Sequence, residues 1–333
     1  MQAWSREERL MDEALAEAGK GRGRTHPNPV VGAVVVSHGE VVAHGHHEKA
    51  GGPHAEAAAL AAAGERARGG ELYVTLEPCN HQGRTPPCTE AIVAAGIRRV
   101  VVGSDDPNPL VNGRGFARLR RAGIEVVTGV LRAECDAANE GWFKFITKGV
   151  PWVVLKAAVT LDGKLATAAD DSKWVTGEAA RERVQLWRDQ LDAVLVGAGT
   201  VRADDPRLTV RTPGGRNPVR VVLGKIPPQA RMLREPGETL SLEGEIRHVL
   251  KKLGVRGLTS VLVEGGANVH GQFLATKRWD ELRLFIAPKI VGASGKSWAG
   301  FPGADSMARA LQLDVRTVEQ LGPDLLVIAR PAP

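Results

Sequence analysis

The chain is short of aromatic residues, short of cysteine and free of long apolar runs, and each shortage removes a class of function. Aromatics make up only 4% of its 333 residues, so stacking platforms for single-stranded nucleic acid are sparse. No Lys/Arg run exceeds two residues, which leaves no basic tract for a nucleic-acid backbone. No stretch approaches the ~20 apolar residues of a membrane span. The opening Met1-Gln2-Ala3-Trp4-Ser5-Arg6 is polar and lacks a secretory signal pattern. Three cysteines cannot build a disulfide framework and fit a reducing compartment. The expectation is a cytoplasmic protein with no nucleic-acid and no membrane partner.

What is present is an ordinary globular composition, 43% apolar and 25% charged, in a length comfortable for two domains. The net charge of +6 then fits small phosphorylated molecules. From Val30 to Val127 strands alternate with helices, which predicts an α/β sandwich. Lys148-Gly149-Val150-Pro151 breaks the pattern and sets the expected domains at 1–147 and 151–333. The second half opens on strands at 152–158 and 192–197, with a further one at 260–264. It has neither Gly-x-Gly-x-x-Gly nor a P-loop, so a Rossmann site is unsupported.

The chemistry concentrates in Pro53-His54-Ala55-Glu56, Pro78-Cys79 and Pro87-Cys88. His54, Cys79 and Cys88 form an N/S/S donor set suited to zinc, with a fourth position left for water. Pro53 and Pro86-Pro87 mark helix starts, whose partial positive charge favours thiolate. Glu56, two residues past His54, can move a proton without being a ligand. His-x-Glu followed by Pro-Cys-x-x-Cys is the signature of the zinc nucleobase deaminases. Here eight residues, rather than two, separate the cysteines. Cys135 is left over and reads as a buried packing residue.

The long loop from Pro78 to Cys88 resembles the deaminase half of the bifunctional riboflavin-biosynthesis deaminase/reductase family. The second half resembles that family's reductase, which is related in fold to dihydrofolate reductase. The matching stretches are Val159-Thr-Leu-Asp-Gly-Lys164, Ser172-Lys-Trp-Val-Thr176, Gly199 to Arg211, Val263-Glu-Gly-Gly266 and Ile286 to Gly292. The resemblance implies a cytidine-deaminase-like α/β/α sandwich followed by a dihydrofolate-reductase-like α/β domain. It also implies Zn2+ and NADPH as cofactors, a phosphorylated pyrimidine substrate and a homo-oligomer, dimer or tetramer.

Residue by residue, the resemblance gives Asn28 and His46, the latter chosen over His47, as pyrimidine contacts, with 105–115 bordering that pocket. Asn28, set between prolines, reads equally as a turn residue. Ser172, Arg188, Leu208, Arg211 and Glu264 fall at reductase substrate positions, Arg188 and Arg211 on the phosphate. Ala158, Trp174, Thr200, Asp204 and Gly266 fall at NADPH positions. Glu264-Gly265-Gly266 ahead of a helix would let backbone N–H groups meet a pyrophosphate, or is a plain strand-to-helix turn. The sequence identifies no proton donor for the reduction; Asp204 is a candidate. After Leu240 the chain is shorter than the family pattern by about a strand and a helix, which puts the edge of the cofactor site in question. Two other readings stay open: a nucleic-acid base deaminase carrying a binding module, and a deaminase with a non-catalytic scaffold half.

Overall fold

Ser5 begins the fold with a capping box: its hydroxyl accepts the Glu8 N–H at 3.1 Å, and Glu8 Oε2 accepts the Ser5 N–H at 2.7 Å. The helix that follows, α1 (Arg6–Lys20), buries Leu10, Met11, Ala14 and Ala18, a stripe at helical spacing. The computed structural model describes residues 4–82, 86–109 and 111–332. Gly83, Arg84 and Thr85 of the cysteine loop, and Leu110 of the expected pocket border, lie outside the described residues. The chain divides into two compact units, Met1–Gly149 and Val150–Pro333.

In the first unit β1 (Gly32–Ser37) and β2 (Glu40–His46) form a hairpin. Its turn residues His38 and Gly39 have φ of 51° and 86°, the positive values that a two-residue turn uses to match strand twist. Then come α2 (Ala55–Ala63), β3 (Glu71–Leu76), α3 (Cys88–Ala94), β4 (Arg99–Ser104), α4 (Arg114–Arg121), β5 (Glu125–Thr128) and α5 (Arg132–Lys148). The sheet order is β2-β1-β3-β4-β5, with β3, β4 and β5 parallel. Two apolar clusters cover its faces. Ala55, Ala59, Ile92, Phe116 and Leu119 belong to one, Leu10, Met11, Ala14 and Cys135 to the other. Helices on both faces make the α/β/α sandwich, and the ligand-bearing starts of α2 and α3 share one of them.

The second unit runs β6 (Trp152–Thr160), β7 (Lys164–Ala166), α6 (Glu178–Gln190), β8 (Ala193–Gly197), α7 (Ala198–Asp204), β9 (Val219–Leu223) and β10 (Thr239–Leu242). It continues with α8 (Ile246–Val255), β11 (Ser260–Val263), α9 (Ala267–Ala275), β12 (Glu281–Ala287), β13 (Lys296–Ser297), β14 (Leu313–Leu321) and β15 (Asp324–Pro331). Its main sheet has eight strands in the order β10-β9-β8-β11-β6-β12-β15-β14. The six from β10 to β12 are parallel, β15 runs antiparallel to β12, and β14 runs antiparallel to β15. Such strands are buried on both faces, which is why Val153-Val-Leu155 and Ala193-Val-Leu-Val196 are continuous apolar runs.

The shortened stretch is tied in rather than frayed. Arg220, with no exposed surface, donates to the carbonyls of Glu235, Pro236 and Gly237 at 2.7–3.1 Å and to Thr239 Oγ1 at 2.9 Å. Those bonds hold β10 against β9, and only Glu243-Gly244-Glu245 then separates β10 from α8.

Candidate active sites

His54 is the N-cap of α2 and Cys88 the first residue of α3, so two helix starts bring two ligand groups together. Cys79 reaches them from the loop after β3. His54 Nδ1 lies 3.2 Å from Cys88 Sγ and 3.6 Å from Cys79 Sγ. The three donor atoms all fall within 4.8 Å of one another. The Cys79 sulfur accepts the Cys88 backbone N–H at 3.4 Å. Bonds from Cys88 and His54 hold the Cys79 thiol far below its ordinary range, at about 4, and Cys88 beside that thiolate is pushed up. Glu56, in the first turn of α2, is 3% exposed, and burial lifts its carboxyl to about 7.

His54, Glu56 and Cys79 face a cavity of about 420 Å³ that Asn28, His47, Glu77, His81, Asp106 and Trp142 also line. His46 is not among its lining residues. Strand alternation sends His44 and His46 toward α1, where His44 meets Glu13 and His46 Nδ1 meets Glu17, each at 3.3 Å. His47, one residue beyond β2, takes the cavity position instead. Its Nδ1 lies 2.9 Å from the Pro53 carbonyl and its Nε2 3.0 Å from Asn28 Nδ2. That is one bond donated and one accepted by a neutral ring, and burial lowers its pKa accordingly.

Glu77 and Asp106 were not singled out in the sequence. Both are nearly buried, and burial raises the Asp106 carboxyl to about 7. Glu77 accepts the backbone N–H groups of Asp106, Gly113, Gly115 and Phe116 at 3.0–3.4 Å, fastening the 105–116 loop to the strand that leads to Cys79. A Cβ on Gly115 would sit 2.1 Å from the Pro78 carbonyl oxygen, so the loop can approach only with glycine there.

The second unit has its own cavity, about 980 Å³, at the carboxyl ends of the parallel strands. Ala158, Ser172, Trp174, Arg188, Thr200, Asp204, Arg211, Glu264 and Gly266 all line it. Gly265 and Gly266 lead into α9, whose N-cap Gly266 receives no side-chain cap, so its first N–H groups are left to the cavity. Leu208 does not line it. Its side chain is 4% exposed and packs with Val194, Val201, Val222 and Met232, an apolar residue drawn into the core. No residue between Leu223 and Glu264 lines the cavity, so the shortened stretch lies away from it.

Arg188 lines the cavity, and its guanidinium is already matched within the protein. It meets Glu264 through two bonds of 2.6 and 3.0 Å and the Thr209 carbonyl at 3.4 Å. Burial would raise the Glu264 carboxyl, but Arg188 and then Lys156 hold it below the ordinary range. Lys156, missed in the sequence, has its Nζ 3.9 Å from Glu264 Oε2 and faces the cavity, its pKa lowered by burial against the pull of Glu264. Its signal was a lone lysine inside the apolar strand Trp152-Val-Val-Leu-Lys-Ala-Ala158. Asp204 is exposed at the end of α7, a poor place for a proton donor.

Residues 4–104 match the family model of the cytidine and deoxycytidylate deaminase zinc-binding region, and 151–327 match that of the RibD C-terminal domain. The riboflavin biosynthesis protein RibD of Aquifex aeolicus is 46% identical over 344 residues, covering 95% of this chain and 96% of its own length. The chain belongs to the RibD family. The Escherichia coli RibD is 39% identical over 96% of the chain. In fold, the chain superimposes on Acinetobacter baumannii RibD with a TM-score of 0.93 at 39% identity, covering 98% of this chain and 99% of the other. The Thermotoga maritima diaminohydroxyphosphoribosylaminopyrimidine deaminase/5-amino-6-(5-phosphoribosylamino)uracil reductase gives 0.91 at 40% identity, over 98% and 99%. Like its RibD relatives, the chain is a bifunctional deaminase and reductase of riboflavin biosynthesis. The donor set fits the zinc of the family's deaminase half: one imidazole nitrogen and two sulfurs converge.

Proposed function

We propose that the first unit hydrolyses an amino group from a phosphorylated diaminopyrimidine, and that the second reduces the ribosyl carbon of the product to ribityl with NADPH. The convergence of His54, Cys79 and Cys88 beside buried Glu56 carries the first half of this reading. His54, Cys79 and Cys88 would hold zinc, which would supply the nucleophile by lowering the pKa of a bound water to about 7. Glu56 would accept the nucleophilic water's proton and pass it to the amino nitrogen, which would leave as ammonia. Asn28, His47 and Asp106 line the wall that receives the ring, and their polar atoms suit its amide edge.

In the second cavity Ala158, Trp174, Thr200, Asp204 and Gly266 would hold NADPH, which supplies the hydride. Ser172, Arg211 and Glu264 face the substrate, with Arg211 on its phosphate. Arg188 fixes Glu264 and does not meet the phosphate itself. Lys156, a buried ammonium at the cavity wall, provides the proton that accompanies the hydride. The same reading makes the protein a cytoplasmic homo-oligomer, dimer or tetramer, that binds no nucleic acid. Three cysteines without a disulfide and the exposed Val315 and Val318 of the outermost strand β14 support those parts.

The test is stepwise turnover of the diaminopyrimidine phosphate. Zinc-loaded protein should release ammonia without NADPH, and NADPH oxidation should begin only as deaminated product accumulates. Oxidation of NADPH with no prior ammonia release would contradict the order, and no ammonia at all would contradict the deaminase reading.

A further inference from the structure

Six cations line the second cavity, and most are already engaged. Lys156 and Arg188 share Glu264. Lys296 pairs with Asp170. Arg181 lies over the Trp174 ring at 4.8 Å and donates to the Thr176 carbonyl at 2.8 Å. Among the described residues, Arg202 and Arg211 alone of the six have side chains with no recorded partner, and they stand on different walls. Arg211 is tied by its backbone N–H to Gln185 of α6, on the side of Arg188 and Glu264. Arg202 is on α7, the helix whose Thr200 faces Gly266, where a Cβ would lie 3.7 Å from the threonine hydroxyl.

Two unmatched guanidinium groups face one cavity that, on the reading above, takes two phosphate monoesters. One belongs to the substrate and the other is the 2′-phosphate that distinguishes NADPH from NADH. We infer that Arg202 is the residue that selects NADPH, by pairing with the 2′-phosphate of the adenosine end. This inference rests on the NADPH reading proposed above. A planar guanidinium is the group best shaped for a phosphate monoester, and pairing would satisfy a charge that the protein leaves open. The shortened chain sharpens the assignment. With nothing between Leu223 and Glu264 reaching the cavity, that stretch supplies no cation to compete with Arg202. Asp204, two residues further along α7, also lines the cavity, but residues two apart on a helix do not face each other and no ion pair joins it to Arg202 among the described residues.

The experiment is calorimetric titration of the zinc-loaded full chain and its Arg202→Gln variant with 2′,5′-ADP and with 5′-AMP, followed by NADP+ and NAD+. Wild type should favour 2′,5′-ADP and NADP+. Arg202→Gln should weaken both by about 10- to 100-fold and leave 5′-AMP and NAD+ unchanged, with partial recovery in Arg202→Lys. A variant that keeps the full preference would overturn the inference, as would an equal loss for both nucleotides. If the variant's thermal unfolding midpoint shifts, the ratio of the two affinities still decides, since misfolding lowers both. Wild type that binds neither NADP+ nor NAD+ would overturn the NADPH reading itself, and this assignment with it.

Discussion

Arg188 and Glu264, 76 residues apart in sequence, meet as a two-point ion pair at the wall of the second cavity, with side chains only 15% and 10% exposed. Both positions were expected to touch substrate separately. Their pairing makes Arg188 a support for Glu264, and removing it would leave a buried carboxylate without its closest cation. Breaking a buried pair from one side costs ~3–5 kcal/mol. Arg188→Ala should therefore lower the urea midpoint strongly, and Arg188→Met with Glu264→Gln should recover much of the loss. Equal midpoints for the wild type and Arg188→Ala would show the pair to be incidental.

Arg211→Ala should behave differently. Its guanidinium has no partner to strand among the described residues, so stability should hold. Substrate affinity should fall by about 10- to 100-fold, the worth of a charge-assisted phosphate bond. Titration with the deaminated substrate reads this directly; unchanged affinity would move the phosphate elsewhere.

Glu56→Gln should keep zinc and fold yet lose deamination by ~10²–10⁴-fold, the usual share of a proton carrier. Reduction of ready-made deaminated substrate should continue at the wild-type rate. Near-normal ammonia release by this variant would remove Glu56 from its role.

Zinc content should be about one per chain in freshly purified protein. Cys79→Ser and Cys88→Ser should each lose most of it by elemental analysis. Metal retained in both variants would point to a different ligand set.

His270 gives a pH dependence with a definite sign. Burial lowers it to about 4, and its Nδ1 has no hydrogen-bond partner. Between about pH 4 and the ordinary histidine value near 6.5 the unfolded chain holds the extra proton, so stability falls as pH drops through that window. Urea midpoints at pH 7 and pH 5 should differ less in His270→Gln than in wild type. Equal differences would assign the dependence to other groups.

The zinc ligands were legible because their chemistry is local: proline marks each helix start, and a cysteine or histidine sits on or beside it. The α/β sandwich around them followed from strands alternating with helices, though not the order of its strands. Side-chain direction at strand ends was harder. His46 and His47 are neighbours with identical chemistry, and only the pairing of β2 decides which one turns toward α1. Leu208 looked like a contact by position, yet an apolar side chain at a loop is free to join the core. Lys156 went unread because a lysine in an apolar strand gains meaning only when Glu264, from another strand's end, is placed beside it.

Glu77 holds four backbone amides, two from the loop before α4 and two from its first turn, on a single carboxylate, and that arrangement has a kinetic consequence. The amides of Asp106, Gly113, Gly115 and Phe116 share one anchor, so their deuterium uptake should be correlated: slow together while the carboxylate is seated and fast together when it is displaced. That wall of the cavity would then open as one unit, timed by a carboxylate engaged with backbone amides.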